Sequence, residues 1–401
     1  MGGDPKSSKV SMLVTNEVTH DSRVLKEAGV LARLGFQVTI LGLDRKGTSP
    51  LVEEGEGFVA YHCREWRFGR WLRNRNHVLL SFVGKGLKAL RFFLFSLKAR
   101  GDIIHAHDLD TLPFGYLAAR RSKAKLVYDS HELCIEQWVQ GAKAGSFTVP
   151  IPILSKLEGF LIRRADAVIA ANASYAGELS SLYSIPTPMV LRNCGSRAPE
   201  GGAAFSLKEH LHLAPEDRIV LHTGDLNPKG RALRELVLAF RELGPKIHLV
   251  FLGEGRMESE LRDLARSQGL EGVVHFLKPV PVANLIPTMQ GADLGAVLMV
   301  ADCKSHYLVL PNKLLESIAA GLPVVASDLP EIASLVQTYE IGVLCQPQDP
   351  KDITRAIEEA LVPERYGAFK ANLKEAQEAL NWEKESQKLA DLYLHLIQAK
   401  K

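Results

Sequence analysis

Short runs of apolar, β-branched residues alternate with longer amphipathic stretches from one end of the chain to the other. Runs at 10–15, 38–43, 103–105, 126–129, 167–170 and 189–192 read as strands, and 22–34 reads as a helix that Gly35 ends. Strand-sized runs separated by helix-sized ones predict parallel α/β units. The rhythm breaks over 193–205, which is rich in Gly, Ala and Pro. It restarts with strands at 219–222, 248–252, 273–277, 294–299, 324–326 and 342–345 and a helix at 232–243. Helical patterns at 350–361, 365–379 and 384–400 close the chain. The pattern predicts an α/β fold of two Rossmann-like domains facing a cleft, over 1–198 and 199–380. The last helix, within 381–401, is expected to pack back toward the N-terminal domain. Ligands of open parallel sheets sit beyond the carboxyl ends of the strands, so the chemistry is sought there.

Composition narrows this picture. A chain of 401 residues, 46% hydrophobic and 24% charged, is globular and long enough for two or three domains. A net charge of +3 gives no global case for nucleic acid. Five scattered cysteines without zinc or redox spacing read as reduced thiols in a cytoplasmic protein. The first nine residues are polar and read as a flexible leader without a signal core. The most apolar stretch, 78–97, is interrupted by Lys85, Lys88 and Arg91, which weakens a spanning reading.

In the second half, the strand at 219–222 runs into Thr223-Gly224-Asp225-Leu226-Asn227-Pro228-Lys229-Gly230-Arg231. A glycine loop between strand and helix lets backbone N–H groups approach an anion. Lys229 and Arg231 add full charges suited to a diphosphate, although a solvated basic turn accounts for the same residues. More specific is Pro311-Asn312-Lys313-Leu314-Leu315-Glu316, continuing to Ala319-Ala320-Gly321-Leu322-Pro323-Val324-Val325. It predicts a helix from Pro311 or Asn312 to Gly321 followed by a buried strand. Glu316 is then placed to accept two hydroxyl hydrogen bonds, as a ribose diol offers; the alternative is an exposed helix charge.

This segment strongly resembles the donor-binding region of retaining glycosyltransferases of family four, which have the GT-B fold. The resemblance covers nearly the whole chain. The 223–231 loop is similar to the family's phosphate loop, Phe251-Leu252-Gly253-Glu254-Gly255 to its second glycine turn, and Val274 to Leu277 with Pro279-Val280 to its base-binding edge. It implies a nucleotide-sugar donor, UDP- or GDP-linked, in the C-terminal domain and an acceptor in the N-terminal one. The donor contacts implied are Gly224, Asp225, Lys229, Arg231, Gly253, Leu277, Leu308, Val309, Leu310, Asn312, Lys313 and Glu316. Two departures stand out. Many members carry a glutamate eight positions before the one matched by Glu316, and Leu308 stands there, its role falling to backbone groups near 306–309 or the donor preference differing. Many also have Arg after the first loop glycine, where this chain has Asp225, which shifts the phosphate role to Lys229 or Arg231.

In the first half, Ile104-His105-Ala106-His107-Asp108-Leu109-Asp110 puts two histidines on one face at a strand end. A second strand ends in Tyr128-Asp129-Ser130-His131-Glu132. Metal binding, a structural polar network and sugar binding compete as readings. By resemblance, His107 holds the donor hexose and His131 and Glu132 lie on the acceptor side. His20, Asp21 and Arg23 are acceptor candidates in the first loop, with helix capping by Asp21 or Ser22 as the alternative. That loop has no G-x-G-x-x-G, against an NAD enzyme. Asp108-Leu109-Asp110 is not read as a metal motif in this context, and no metal site or cofactor is expected.

Residues 64–100 interleave Trp66, Phe68, Trp71, Phe82, Phe92, Phe93 and Phe95 with ten Lys and Arg and one acid, Glu65. Such a segment fits an anionic bilayer surface at the inner face of the membrane and a lipid-linked acceptor, or a buried helix beside a basic loop, or an acidic acceptor. The resemblance implies hexosyl transfer with retention in glycan, glycolipid or cell-envelope synthesis. His107, Lys229, Arg231 and Glu316 are the expected machinery, the leaving phosphate assists acceptor deprotonation, and no enzyme nucleophile is needed. The alternatives are an epimerase or hydrolase on the same fold, or a catalytically silent sugar-nucleotide or carbohydrate-binding protein.

Overall fold

The computed structural model describes residues 8–18, 21–44, 47, 49–66, 71, 78–143, 151–196 and 206–398. The chain divides into two compact units. One comprises Met1–Arg192 with Ser386–Lys401, the other Asn193–Glu385.

The first unit is built on eight strands: β1 (Lys9–Val14), β2 (Gln37–Asp44), β3 (Val52–Glu54), β4 (Phe58–Arg64), β5 (Ile103–His107), β6 (Lys125–Ser130), β7 (Ala167–Ala170) and β8 (Met189–Val190). Their order is β3-β4-β2-β1-β5-β6-β7-β8, all parallel except for the edge pair β3–β4. The apolar strands β1, β5 and β6 are buried almost throughout, as strands covered on both faces must be. The edge strand β3 escapes the apolar-run reading because Val52-Glu53-Glu54 is short, polar and largely exposed, and β4, which mixes Phe58-Val59-Ala60-Tyr61 with His62 and Arg64, is missed beside it.

The second unit carries β9 (Arg218–Thr223), β10 (Ile247–Leu252), β11 (Val274–Leu277), β12 (Leu294–Val297), β13 (Val324–Ser327) and β14 (Gly342–Cys345), in the parallel order β11-β10-β9-β12-β13-β14. Both sheets are Rossmann-like, and in each the strand order reverses beside the first strand. The reversal falls between β1 and β5 and between β9 and β12, and these switch points open a crevice at the carboxyl ends. The helix expected over 232–243 is only Leu233–Ala239, with Phe240 as its cap; Gly244-Pro245 soon follows and does not support continued helix.

In the basic aromatic segment, Phe92 and Phe95 are buried in the core rather than offered to a surface. The buried-helix alternative therefore holds for this part of helix Val78–Ser96, while Trp66 and Trp71 are exposed. Arg67, Phe68, Arg70, Arg73 and Arg75, and the side chain of Phe82, lie outside the described residues. Among the described residues no helix is long and apolar enough to cross a membrane.

Two glycine turns meet at the carboxyl ends of β9 and β10. Gly224 has φ +90° and donates its N–H to Leu252 O at 2.9 Å, and Leu226 N–H reaches Glu254 O at 3.0 Å. A Cβ on Gly253 would run into the carbonyl oxygen of Gly224. Gly253→Ala is therefore expected to cost about 3 kcal/mol, read as a lower urea midpoint with unchanged slope. A midpoint equal to that of the native chain would contradict this packing.

Candidate functional site

In the second unit the loop after β9 and the segment after β12 close on each other. Val300 N–H bonds Gly230 O at 3.0 Å, and Arg231 bridges Met299. Gly230, at φ +65°, allows the tight turn. Helix Asn312–Ala320 follows, capped by left-handed Gly321, and leads into β13 as the sequence predicts. Ser317 Oγ donates to Lys313 O at 2.7 Å, and a Cβ on Gly295 of β12 would press on Ser317, so helix and sheet approach closely.

This packing brings Lys313 to the glycine loop. Its Cε would stand 3.6 Å from a Cβ on Gly224. Burial and the neighbouring Arg231 push the Lys313 ammonium down to about 7, against Glu316 and Asp225, which pull it up. Arg231 donates to Lys229 O at 2.9 Å and pairs at 3.5 Å with Asp225, and its buried Nε has no hydrogen-bond partner. Two cations beside a glycine turn make a place for an anion. Asp225, standing where Arg is usual, holds the Arg231 guanidinium beside the loop. Lys229 is exposed, as are Gly224 and Asn312. Gly253 and Leu310 are buried, while Leu277, Leu308, Val309 and Glu316 are half-buried. His222, buried near the end of β9, was not singled out in the sequence. Burial, then Lys313 and Arg231, hold it neutral.

The first unit gathers charge differently. Arg23 donates to both carboxylate oxygens of Asp129, at 2.9 and 2.7 Å, and to Leu191 O at 2.6 Å. It also pairs with Glu27 at 3.0 Å. All three side chains are buried, so Arg23 is engaged internally. Asp21 accepts from Val24 N–H at 3.2 Å, the capping alternative, and His20 lies outside the described residues. His105 and His107 stack at 4.1 Å. His107 is 1% exposed, with Nε2 unpartnered. His131 Nε2 lies 3.1 Å from both Asp129 Oδ2 and His107 Nδ1. Asp108, at φ +63°, accepts from His131 N–H at 2.9 Å, so the Asp108-Leu109-Asp110 run staples loops: Asp110 contacts Thr15. Glu132 is half-buried and holds Gln137.

Electrostatics sorts this cluster. Burial works against a charged His131, but Asp108 and Asp129 overcome it and hold the ring up at about 10. Burial lifts the Asp108 carboxyl to about 7. Asp129 is kept ionised by Arg23 and His131 despite its burial. Burial, and then the neighbouring ring, keep His105 neutral. Glu27, His105, His107 and Asp129 lie close enough together to hold a metal ion. The Arg23 guanidinium already supplies the positive charge between the two carboxylates, so the set reads as a polar network. Tyr393, from the last helix Trp382–Gln398, hydrogen-bonds His105 Nδ1 at 2.7 Å. No sequence signal marks it, because the contact joins residues 288 positions apart.

With this geometry in view, residues 21–195 match the family model described as "Glycosyl transferase 4-like domain" and residues 205–378 that of "Glycosyl transferases group 1". A D-inositol 3-phosphate glycosyltransferase of Thermobispora bispora is 27% identical over 94% of this chain and 89% of its own length. A glycogen synthase of Mycobacterium tuberculosis is 26% identical over 82% and 79%. Among solved structures, sucrose-phosphate synthase from Thermosynechococcus elongatus aligns with a TM-score of 0.77 and 19% identity over 98% of this chain and 100% of that one. Anabaena HepE in complex with UDP and glucose aligns at 0.71 and 17% over 96% and 99%. These likenesses show the GT-B type of fold.

The raised His131 makes a pH prediction. A basic group whose folded pKa exceeds its unfolded value stabilises fully below the unfolded value of about 6.5. That stabilisation is lost as pH rises through about 10. His131→Gln should therefore lose on the order of 2–4 kcal/mol at pH 6 and approach the native chain above pH 10. Urea midpoints across this range test it; a deficit that stays constant would refute the charged assignment.

Proposed function

The chain belongs to the group 1 glycosyltransferases of family-four type, and from that premise we propose that it moves a hexosyl group from a UDP- or GDP-sugar to an acceptor hydroxyl with retention at the anomeric carbon. The observation that carries this reading is the pairing of Arg231 and Lys313 at the Gly224 turn, where a diphosphate would relieve their repulsion. In the proposed reaction the bond between the anomeric carbon and the diphosphate oxygen breaks. Charge builds on that oxygen and is stabilised by Arg231, Lys229, Lys313 and the loop amides, a preorganised electrostatic site. The acceptor oxygen bonds the same carbon on the same face, and its proton passes to the departing phosphate. Glu316 anchors the ribose, and Leu277 with the backbone of 308–310 borders base and sugar. These cations make a metal unnecessary for departure of the diphosphate.

His107 is proposed to face the sugar, held in orientation by His105 and His131. His131 and Glu132 are assigned to the acceptor, a carbohydrate or lipid-linked compound in glycan, glycolipid or polysaccharide synthesis. The names of the relatives, with inositol phosphate and glycogen among them, favour a polyhydroxylated acceptor. The silent-binder reading shares the nucleotide site and parts company only at turnover.

The test is a thermal-shift panel of UDP, GDP, ADP and TDP with and without magnesium. A nucleotide at 100 times its Kd should stabilise by about 2.7 kcal/mol. One nucleotide should shift the midpoint strongly and independently of metal. Glu316→Ala should weaken that nucleotide by about 10- to 100-fold with the fold intact. Equal affinity in that variant would remove the ribose assignment, and no shift with any nucleotide would remove the donor site.

A further inference from the structure

The segment leaving β12 carries a second constellation at the same switch point. Asp302, Cys303 and His306 each bring one ligand atom within 4.8 Å of the other two. Cys303 precedes the short helix Lys304–Tyr307, and His306 lies three residues on, so both side chains share one face of a single turn. Asp302 already contacts His306 Nδ1. Cys303 and His306 are half-buried and Asp302 is exposed, which leaves the group open to an ion from solvent.

The turn that carries these ligands is fixed by its backbone. Tyr307 N–H bonds Cys303 O at 2.9 Å, Leu308 N–H bonds Lys304 O at 3.0 Å, and Asp302 N–H bonds Val300 O at 3.0 Å. Val300 is itself tied to Gly230. The ligands therefore need only side-chain rotation to converge. Thiolate, imidazole and carboxylate together are a borderline-soft set, which suits zinc or cobalt and not magnesium or calcium. Three protein ligands leave a fourth tetrahedral position open. His306 forms one wall of the glycine turn, since a Cβ on Gly230 would come within 2.8 Å of its Nδ1.

We propose that Asp302, Cys303 and His306 form a binding site for a borderline divalent ion, zinc above all, beside the Gly230 turn. Binding replaces the thiol proton, which passes to solvent, by a sulfur–metal bond, with no change of oxidation state. The site does not rest on the transferase reading: a chain that binds the ion and no nucleotide would separate the two.

The experiment is a cobalt(II) titration of the full chain, stripped of metal with a chelator, followed by zinc. One equivalent of cobalt should give thiolate-to-cobalt absorption, and zinc should displace it. Cys303→Ser should abolish that absorption, and His306→Gln should weaken cobalt at least about tenfold, both with unchanged melting temperature. Absence of a thiolate signal, or a signal that survives Cys303→Ser, would overturn the site. Should Cys303→Ser fail to fold, an unchanged cobalt affinity in His306→Gln, whose ring is partly exposed, would overturn it equally.

Discussion

Two cations held beside one glycine turn repel each other, and much of what is unusual in the second unit's sequence serves to keep them there. Lys313 is fixed by a helix whose Ser317 packs where a side chain on Gly295 would stand, and Arg231 by the bridge to Met299 and by Asp225. Gly253 packs so close to the Gly224 carbonyl that it tolerates no side chain, and Gly224 is held to glycine by its φ of +90°. Asp225 and the low Lys313 pKa ease that repulsion only in part until an anion arrives, which is how a preorganised site differs from a solvated basic turn.

The first unit resolves the opposite problem. Its charges are buried, and they are neutralised from within: Arg23 against Asp129 and Glu27, His131 against Asp108 and Asp129. Breaking one partner of such a group leaves a charge unpaired in a low dielectric. Tyr393 extends the network to the last helix and fixes the His105 ring, on which His107 lies flat. The histidines at the end of β5 are thus positioned by residues from α-helical segments at both ends of the chain.

Much of this was legible in the sequence. Buried parallel strands show as uninterrupted apolar runs, so twelve of the fourteen described strands were locatable, and the Asn312–Ala320 helix was readable from its Pro start and Gly stop. The edge strand β3 was not, because an exposed three-residue strand has no apolar signature, and β4, whose apolar run gives way to His62 and Arg64, was passed over with it. Local motifs marked Arg231, Lys313 and Glu316, since loop and helix chemistry is written in adjacent residues. Glu27, His222 and Tyr393 were not marked. Their significance comes from burial beside residues far away in the chain, which no spacing records.

The central claim is that the repulsion between Arg231 and Lys313 is relieved by a diphosphate. Calorimetry of nucleoside diphosphate binding at pH 8 in buffers of different ionisation enthalpy tests it directly. Because Lys313 is held down to about 7 in the free protein, binding should draw a proton onto it, and the enthalpy should depend on the buffer. Lys313→Met should bind more weakly and lose that dependence. A buffer-independent enthalpy with unchanged affinity in Lys313→Met would contradict the account.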